Sequence, residues 1–385
     1  MRRICYEEET CRLASSMGLA NTQSHLHDEC MAGEAVPSAA PEAMTDQQAR
    51  RWVEVLDHLT RAIPSGAVTV VVDGFDAYAG LVADRLAAAL HGTGRPCARL
   101  TGTAPLATED SWRAEQGPEI VALADGPRWR ERPPTGKWDV VIWLRRPPGG
   151  RSGRGDHEDG CDIVVDLHDP LWPVIRHLDA RLVARDLWHL SESRAFFAIR
   201  AETWDTRFGD DLPAYAAAVA EAGLPLGGSV VDVGCGTGRA LPALREAVGP
   251  YGHVIGLDLT PEMLTVARTR ARERLATLVL GDARQLPVRD GAVDAVFAAG
   301  LIMHLPEPDA GLRELARITR PGGLLILFHP SGRAALAARH GRPVRPDEPL
   351  SQTPLRTSAG QAGWHLTRYD DAVHRFLAIA VRVGR

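Results

Sequence analysis

Lysine is almost missing from this chain. Of its 44 basic residues only Lys137 is a lysine, and the rest are arginine. Together with heavy use of alanine, that bias reads as GC-rich bacterial coding rather than as a physical requirement. Paired cysteines are missing as well. Cys5, Cys11, Cys30, Cys97, Cys161 and Cys235 include no C-x-x-C pair. That removes the spacing of a zinc site or a disulfide framework and fits a reducing, cytoplasmic compartment, with no metal expected. No apolar run approaches the roughly 18 residues that a membrane span needs. Met1 to Thr10 carry three consecutive glutamates and no apolar core, so no signal peptide is expected there. A net charge of −5 leaves no overall basic field to recruit nucleic acid.

The rest of the composition is that of an ordinary globular chain, with 45% apolar and 24% charged residues. At roughly 150 residues per domain, 385 residues make two or three domains. Met1 to about Ala43 has no hydrophobic period and is expected to be a disordered tail, with Met44 a possible alternative start. A helix then begins at Thr45 or Asp46, with Trp52, Val55, Leu56 and Leu59 on one face. The reading gives two α/β domains after the tail, over 44–185 and 186–385.

The most specific run is Val230-Val231-Asp232-Val233-Gly234-Cys235-Gly236-Thr237-Gly238. Its β-branched half reads as a strand buried on both faces. Its glycines suit a tight turn whose backbone approaches a ligand, and a helix follows. Alone, such a turn also fits nucleotide phosphates, although the G-x-x-G continuation of the dinucleotide fingerprint is absent. Three strands follow that end in polar or small residues. Val254 to Asp258 places a carboxylate about 20 residues after the turn, where it can accept both ribose hydroxyls of an adenosine. Leu278 to Leu280 runs into Gly281-Asp282-Ala283, and Asp294 to Ala299 precedes Leu305-Pro306. A fifth strand, Leu324 to Phe328, comes after Arg320-Pro321-Gly322-Gly323. Ligand-type residues at the carboxyl ends of alternating strands make a doubly wound, Rossmann-like layout.

From about Ser193 to Arg385 the chain resembles a class I S-adenosylmethionine-dependent methyltransferase of the methyltransferase 11 type. The resemblance implies S-adenosyl-L-methionine as cofactor and methyl transfer to a small-molecule acceptor; the alternatives are a non-catalytic regulatory protein that binds S-adenosylmethionine or a nucleotide, and an RNA or protein methyltransferase. It implies a cofactor loop from Asp232 through Gly234, Cys235, Gly236 and Gly238. It assigns Asp258 and Leu259 to the ribose, Asp282 and Ala283 to the adenine, and Ala299 to the methionine moiety. His304 and His329, after the fourth and at the end of the fifth strand, stand where a general base could serve. Arg268, Arg270, Arg272 and Arg274 are expected on a solvated helix surface, since alternate residues share no helix face.

The first half reads as a second α/β unit, with strands at Val68–Asp73, Cys97–Leu100, Glu119–Ala124, Val140–Leu144 and Asp162–Leu167 and a helix from Leu81. It resembles a uridine kinase-like P-loop domain through Val71-Val72-Asp73-Gly74, Ala124-Asp125-Gly126 and Asp162 to Asp166. The P-loop is degenerate. Ala79 stands for its second glycine, Gly80 for the lysine that reaches phosphate and Leu81 for the hydroxyl that binds magnesium. No kinase activity is expected, and the half is read as a scaffold. Leu187 to Phe208 bridges the halves, with a helix from Ser191 carrying Phe196, Phe197 and Trp204 that is expected to pack against both.

Overall fold

The computed structural model describes residues 44–384, apart from 115–116, 134–135, 146–159, 183–186, 209, 272–274 and 340–342. The expected tail lies outside the described residues. So do Arg272 and Arg274.

The first half alternates as α1 (Asp46–Ala62), β1 (Val68–Gly74), α2 (Asp76–Gly92), β2 (Cys97–Leu100), α3 (Leu106–Ala114), β3 (Val121–Asp125), α4 (Pro127–Arg130), β4 (Val140–Arg145), β5 (Ile163–Asp166) and β6 (Val174–Leu178). Val68 to Val72 and Val121 to Asp125 are buried throughout, as central parallel strands covered on both faces must be. The sheet order is β2-β3-β1-β4-β5-β6. Its pairs are parallel except β5 with β6.

Two differences from the sequence reading bear on function. Helix α2 starts at Asp76, five residues earlier than expected, so Phe75 alone separates it from β1. The stretch that would be a phosphate loop is the first turn of a helix. Gly74 holds φ at +112°, and a Cβ there would lie 2.4 Å from the Leu144 carbonyl oxygen. Its glycine is needed for strand packing. The second difference is β6, a short strand after Pro173 that the sequence reading does not include.

The second half runs α5 (Leu187–Ala198), α6 (Trp204–Phe208), α7 (Leu212–Ala222), β7 (Ser229–Val233), α8 (Leu241–Val248), β8 (His253–Asp258), α9 (Pro261–Arg270), β9 (Thr277–Leu280), β10 (Val293–Ala299), α10 (Pro308–Ile318), β11 (Thr319–His329), α11 (Arg333–Arg339), α12 (Gln352–Gln361), β12 (Trp364–Ala372) and β13 (Arg375–Arg382). Its sheet order is β12-β13-β11-β10-β7-β8-β9. Strands β7 to β11 run parallel, and β13 pairs antiparallel with β11 and β12. Two apolar layers cover the sheet. One centres on Val231, Val233, Val296 and Leu315, the other on Val230, Leu241, Phe297 and Ile326.

Both sheets lie in one compact unit, Asp46–Arg385. Helix α5 joins them. Glu192 accepts hydrogen bonds from the Arg51 guanidinium of α1 and, at 2.6 Å, from the Ile175 amide of β6. The Trp172 indole donates to Ala195 O at 3.0 Å. On the other side the Phe197 ring meets the His304 imidazole edge-on, with centroids 5.1 Å apart. The bridge therefore packs on both halves. No helix of the described residues is long and apolar enough to cross a membrane.

Candidate functional site

The site begins where β7 runs out. Strand order reverses direction between β7 and β10, which opens a crevice beyond their carboxyl ends. Gly234, Gly236 and Gly238 take φ values of +74°, +53° and +81°, which side chains disfavour. Gly238 is needed for packing, since a Cβ would lie 2.9 Å from Leu241 Cδ1 and 3.3 Å from Ala267 Cβ. Gly236 is different. A Cβ there would meet only the Met263 sulfur, at 4.0 Å, so this part of the loop borders open space. The Gly234 and Cys235 amides donate to Leu257 O at 2.8 and 3.0 Å, which fastens the turn to β8.

Asp258 ends β8 and is buried. Its Oδ2 accepts from the Gly236 amide and its Oδ1 from the Thr260 amide, both at 2.8 Å. Each carboxylate oxygen has two lone pairs, so each can accept once more. Burial raises the Asp258 carboxyl, against the pull of these amides. Asp232, 2% exposed, lies on the neighbouring strand, and its Oδ1 has no hydrogen-bond partner among the described residues. Burial, and then the negative charge of Asp258, push its carboxyl up to about 8. A buried acceptor without a donor beside an open glycine turn calls for a ligand that brings one.

The other expected cofactor residues sit around this pair. The Cys235 side chain faces inward, since a Cβ on Gly256 would touch its sulfur at 3.2 Å. Only its backbone belongs to the loop surface. Leu259, half-buried, continues from Asp258. Asp282 follows β9, with Ala283 buried behind it. Arg284 grips the Asp282 carboxylate with Nε at 3.0 Å and Nη2 at 2.8 Å. Burial would raise this carboxyl, but the Arg284 hydrogen bonds outweigh it and hold it below the usual range. Ala299 ends β10 beside Phe328 of β11.

The two histidines come together beyond β10 and β11. His304 closes a short 3-10 helix, Ile302–His304. Burial, then the charges of Arg176, His189 and His329, press its imidazole down to about 3. His329 ends β11, and its Nδ1 lies 3.0 Å from the Ser331 amide and 2.8 Å from the Ser331 carbonyl. Burial lowers its pKa against the pull of Ser331. Both shifts favour the neutral imidazole at neutral pH.

Sequence reasoning missed a knot of side chains on the glycine turn. Asp205 of α6 accepts from Thr237 Oγ1 and Arg239 Nη1 at 2.8 Å and from Arg270 Nη1 at 2.6 Å. Arg270 also donates to Thr237 O at 2.9 Å. The expectation of a solvated arginine surface on α9 is thus corrected at Arg270, whose charge is spent holding the loop. Asp211 precedes α7 without capping it through its side chain. Its carboxylate instead takes the second Arg239 nitrogen. The only signal in the sequence was Arg239 directly after the last glycine of the turn.

Residues 231–327 match the family model described as a methyltransferase domain. A 37.1 kDa protein carried by a Streptomyces fradiae transposon is 41% identical over 105 residues, 27% of this chain and 30% of that protein. The demethylmenaquinone methyltransferase of Halalkalibacterium halodurans is 41% identical over 108 residues, 27% of this chain and 44% of that enzyme. The chain thus spans less than half the length of these relatives. Among solved structures, a SAM-dependent methyltransferase from Aquifex aeolicus is 27% identical with a TM-score of 0.37, covering 44% of this chain and 89% of that one. The matched stretch lies within the second half of the chain and takes in the glycine turn and strands β8 to β10.

Proposed function

We propose that the protein transfers a methyl group to a small-molecule acceptor. The observation that carries this reading is the buried, unpartnered Oδ1 of Asp232 beside the open face of Gly236. In this reading Asp232 receives the ammonium of the cofactor's methionine end, and the backbone of Gly234 to Gly238 lies along that end. Asp258 takes the ribose hydroxyls with its free lone pairs. Asp282, with Ala283, takes the adenine edge, sharing its carboxylate with Arg284. Ala299 borders the methionine moiety. S-adenosylmethionine supplies a methyl group already activated by a sulfonium, so the chain has mainly to align the acceptor and exclude water. The aromatic cluster of Phe196, Phe197 and Trp204 roofs that space from the bridge, with rings 5.1 and 5.7 Å apart. If the acceptor is a hydroxyl, His329 is the better base, and His304 serves as a neutral wall.

In the same reading, residues 44–185 are a kinase-like scaffold without kinase chemistry, and residues 186–385 hold the methyltransferase. Tritium transfer from labelled S-adenosylmethionine into a bacterial metabolite extract tests the activity. Label moving into a small molecule with the wild type and lost with Asp258→Ala supports it. No transfer under conditions where the cofactor binds would count against catalysis and leave a binding protein.

A further inference from the structure

A cationic cluster stands beside this site that no step above uses. Arg176 comes from β6 of the first sheet, and its guanidinium carbon lies 3.8 Å from the centroid of the Phe196 ring. Arg200 lies at the same distance from that ring, and its Nη1 donates to Phe196 O at 2.8 Å. The two guanidinium carbons are thus no more than twice 3.8 Å apart. Arg176 makes no hydrogen bond and no ion pair with any described residue.

The acids nearest it are otherwise engaged. Glu192 holds Arg51 and the Ile175 amide, and Asp166 accepts from the His168 amide at 2.8 Å. The other charged or titratable neighbours are cationic or basic: Arg145, Arg200 and His304. Burial, working against Asp166 and alongside Arg145, brings Arg176 down to about 10, so it remains charged at neutral pH. Phe196 contacts Phe197 and Phe197 contacts His304, so Arg176 stands at the acceptor side of the crevice.

Asp166 and Glu192 lie near enough to act on Arg176 by charge, but among the described residues neither accepts a hydrogen bond from it, and a partly buried guanidinium whose donors lack acceptors costs free energy. The arrangement makes sense when an anion arrives to meet it. We propose that Arg176, with Arg200, binds an anionic group, a carboxylate or phosphate, on an aromatic or otherwise apolar acceptor whose ring packs on Phe197. A guanidinium presents a planar fork of donors to such a group. The anion site stands on its own observations, and only the word acceptor rests on the methyl-transfer reading. It would also give the first half a role in selecting the substrate of the second.

The test uses the full chain and three fluorescent probes with one ring: 1-naphthoate, 1-naphthyl phosphate and the neutral 1-naphthamide. Titrations run on wild type, Arg176→Gln and Arg176→Lys, with S-adenosylhomocysteine binding measured in parallel. The wild type is expected to bind at least one anion about tenfold or more tightly than the amide, the scale of a charge-assisted hydrogen bond. Which anion is preferred separates a carboxylate from a phosphate. Arg176→Gln should erase that preference, Arg176→Lys should keep part of it, and neither should shift S-adenosylhomocysteine binding more than about twofold. The proposal is overturned if the amide binds as well as both anions, if no probe binds, or if the preference survives Arg176→Gln. Loss of S-adenosylhomocysteine binding in the wild type with the anion preference intact would overturn the methyltransferase reading and leave the anion site standing.

Discussion

Two carboxyl groups on neighbouring strands, Asp232 and Asp258, are both buried, and the charge of one acts on the other. Only Asp258 has amide donors on both oxygens. Asp232 is consequently held protonated up to about pH 8 in the folded protein. The folded state then binds this proton more tightly than the unfolded one. That contribution to stability is complete below the unfolded carboxyl range and is lost as pH rises through about 8. Without ligand, Asp232→Asn should lose less melting temperature than wild type between pH 6 and pH 8.5, as scanning calorimetry can measure. A ligand ammonium at Asp232 would expel the proton. Binding of S-adenosylhomocysteine at pH 7 should therefore release a proton, seen as a dependence of the apparent enthalpy on the buffer, and Asp232→Asn should remove that dependence. Asp205 makes the second prediction at this scale. It holds Thr237, Arg239 and Arg270 at once. Asp205→Ala should weaken S-adenosylhomocysteine binding by about 1.5–3 kcal/mol, the scale of hydrogen bonds to a charged group. Unchanged affinity would show that the loop keeps its shape without this latch.

Among the elements, α5 bears the most. Its Glu192 is buried, paired with Arg51 and bonded to the edge strand β6. Removing one partner of such a pair leaves the other charge stranded, which costs about 3–5 kcal/mol. Arg51→Ala should therefore lower stability by that amount in chemical denaturation, and a loss under about 1 kcal/mol would contradict the account of the bridge. The strands were legible in the sequence because runs such as Val70-Val71-Val72 and Val230-Val231 have no face to offer water, and glycines mark where each ends. Asp258 and Asp282 were legible because a lone carboxylate after such a run has few structural reasons to be there. The start of α2 was misplaced because Gly74 suggested a loop, whereas it is required by the nearness of Leu144. Arg176, Asp205 and Arg270 were hidden for another reason. Each acts on residues 20 to 70 positions away, and that pairing is created by tertiary packing alone.

At the scale of the whole molecule, the first sheet is tied to the second through α5. Gly80 and Leu81 stand where a P-loop carries its lysine and its hydroxyl, and α2 begins at Asp76, one residue after β1. The protein should accordingly show no magnesium-dependent ATP turnover. Turnover abolished by a Gly74 substitution would contradict this. The account as a whole stands on the glycine turn and Asp258 as an S-adenosylmethionine site. Isothermal titration of the full chain with S-adenosylmethionine tests it most directly. The expected result is one site per chain, with Asp258→Ala weakening it by about 1.5–3 kcal/mol, or roughly 10- to 150-fold. Equal affinity for wild type and variant, or no binding to a folded wild type, would contradict it.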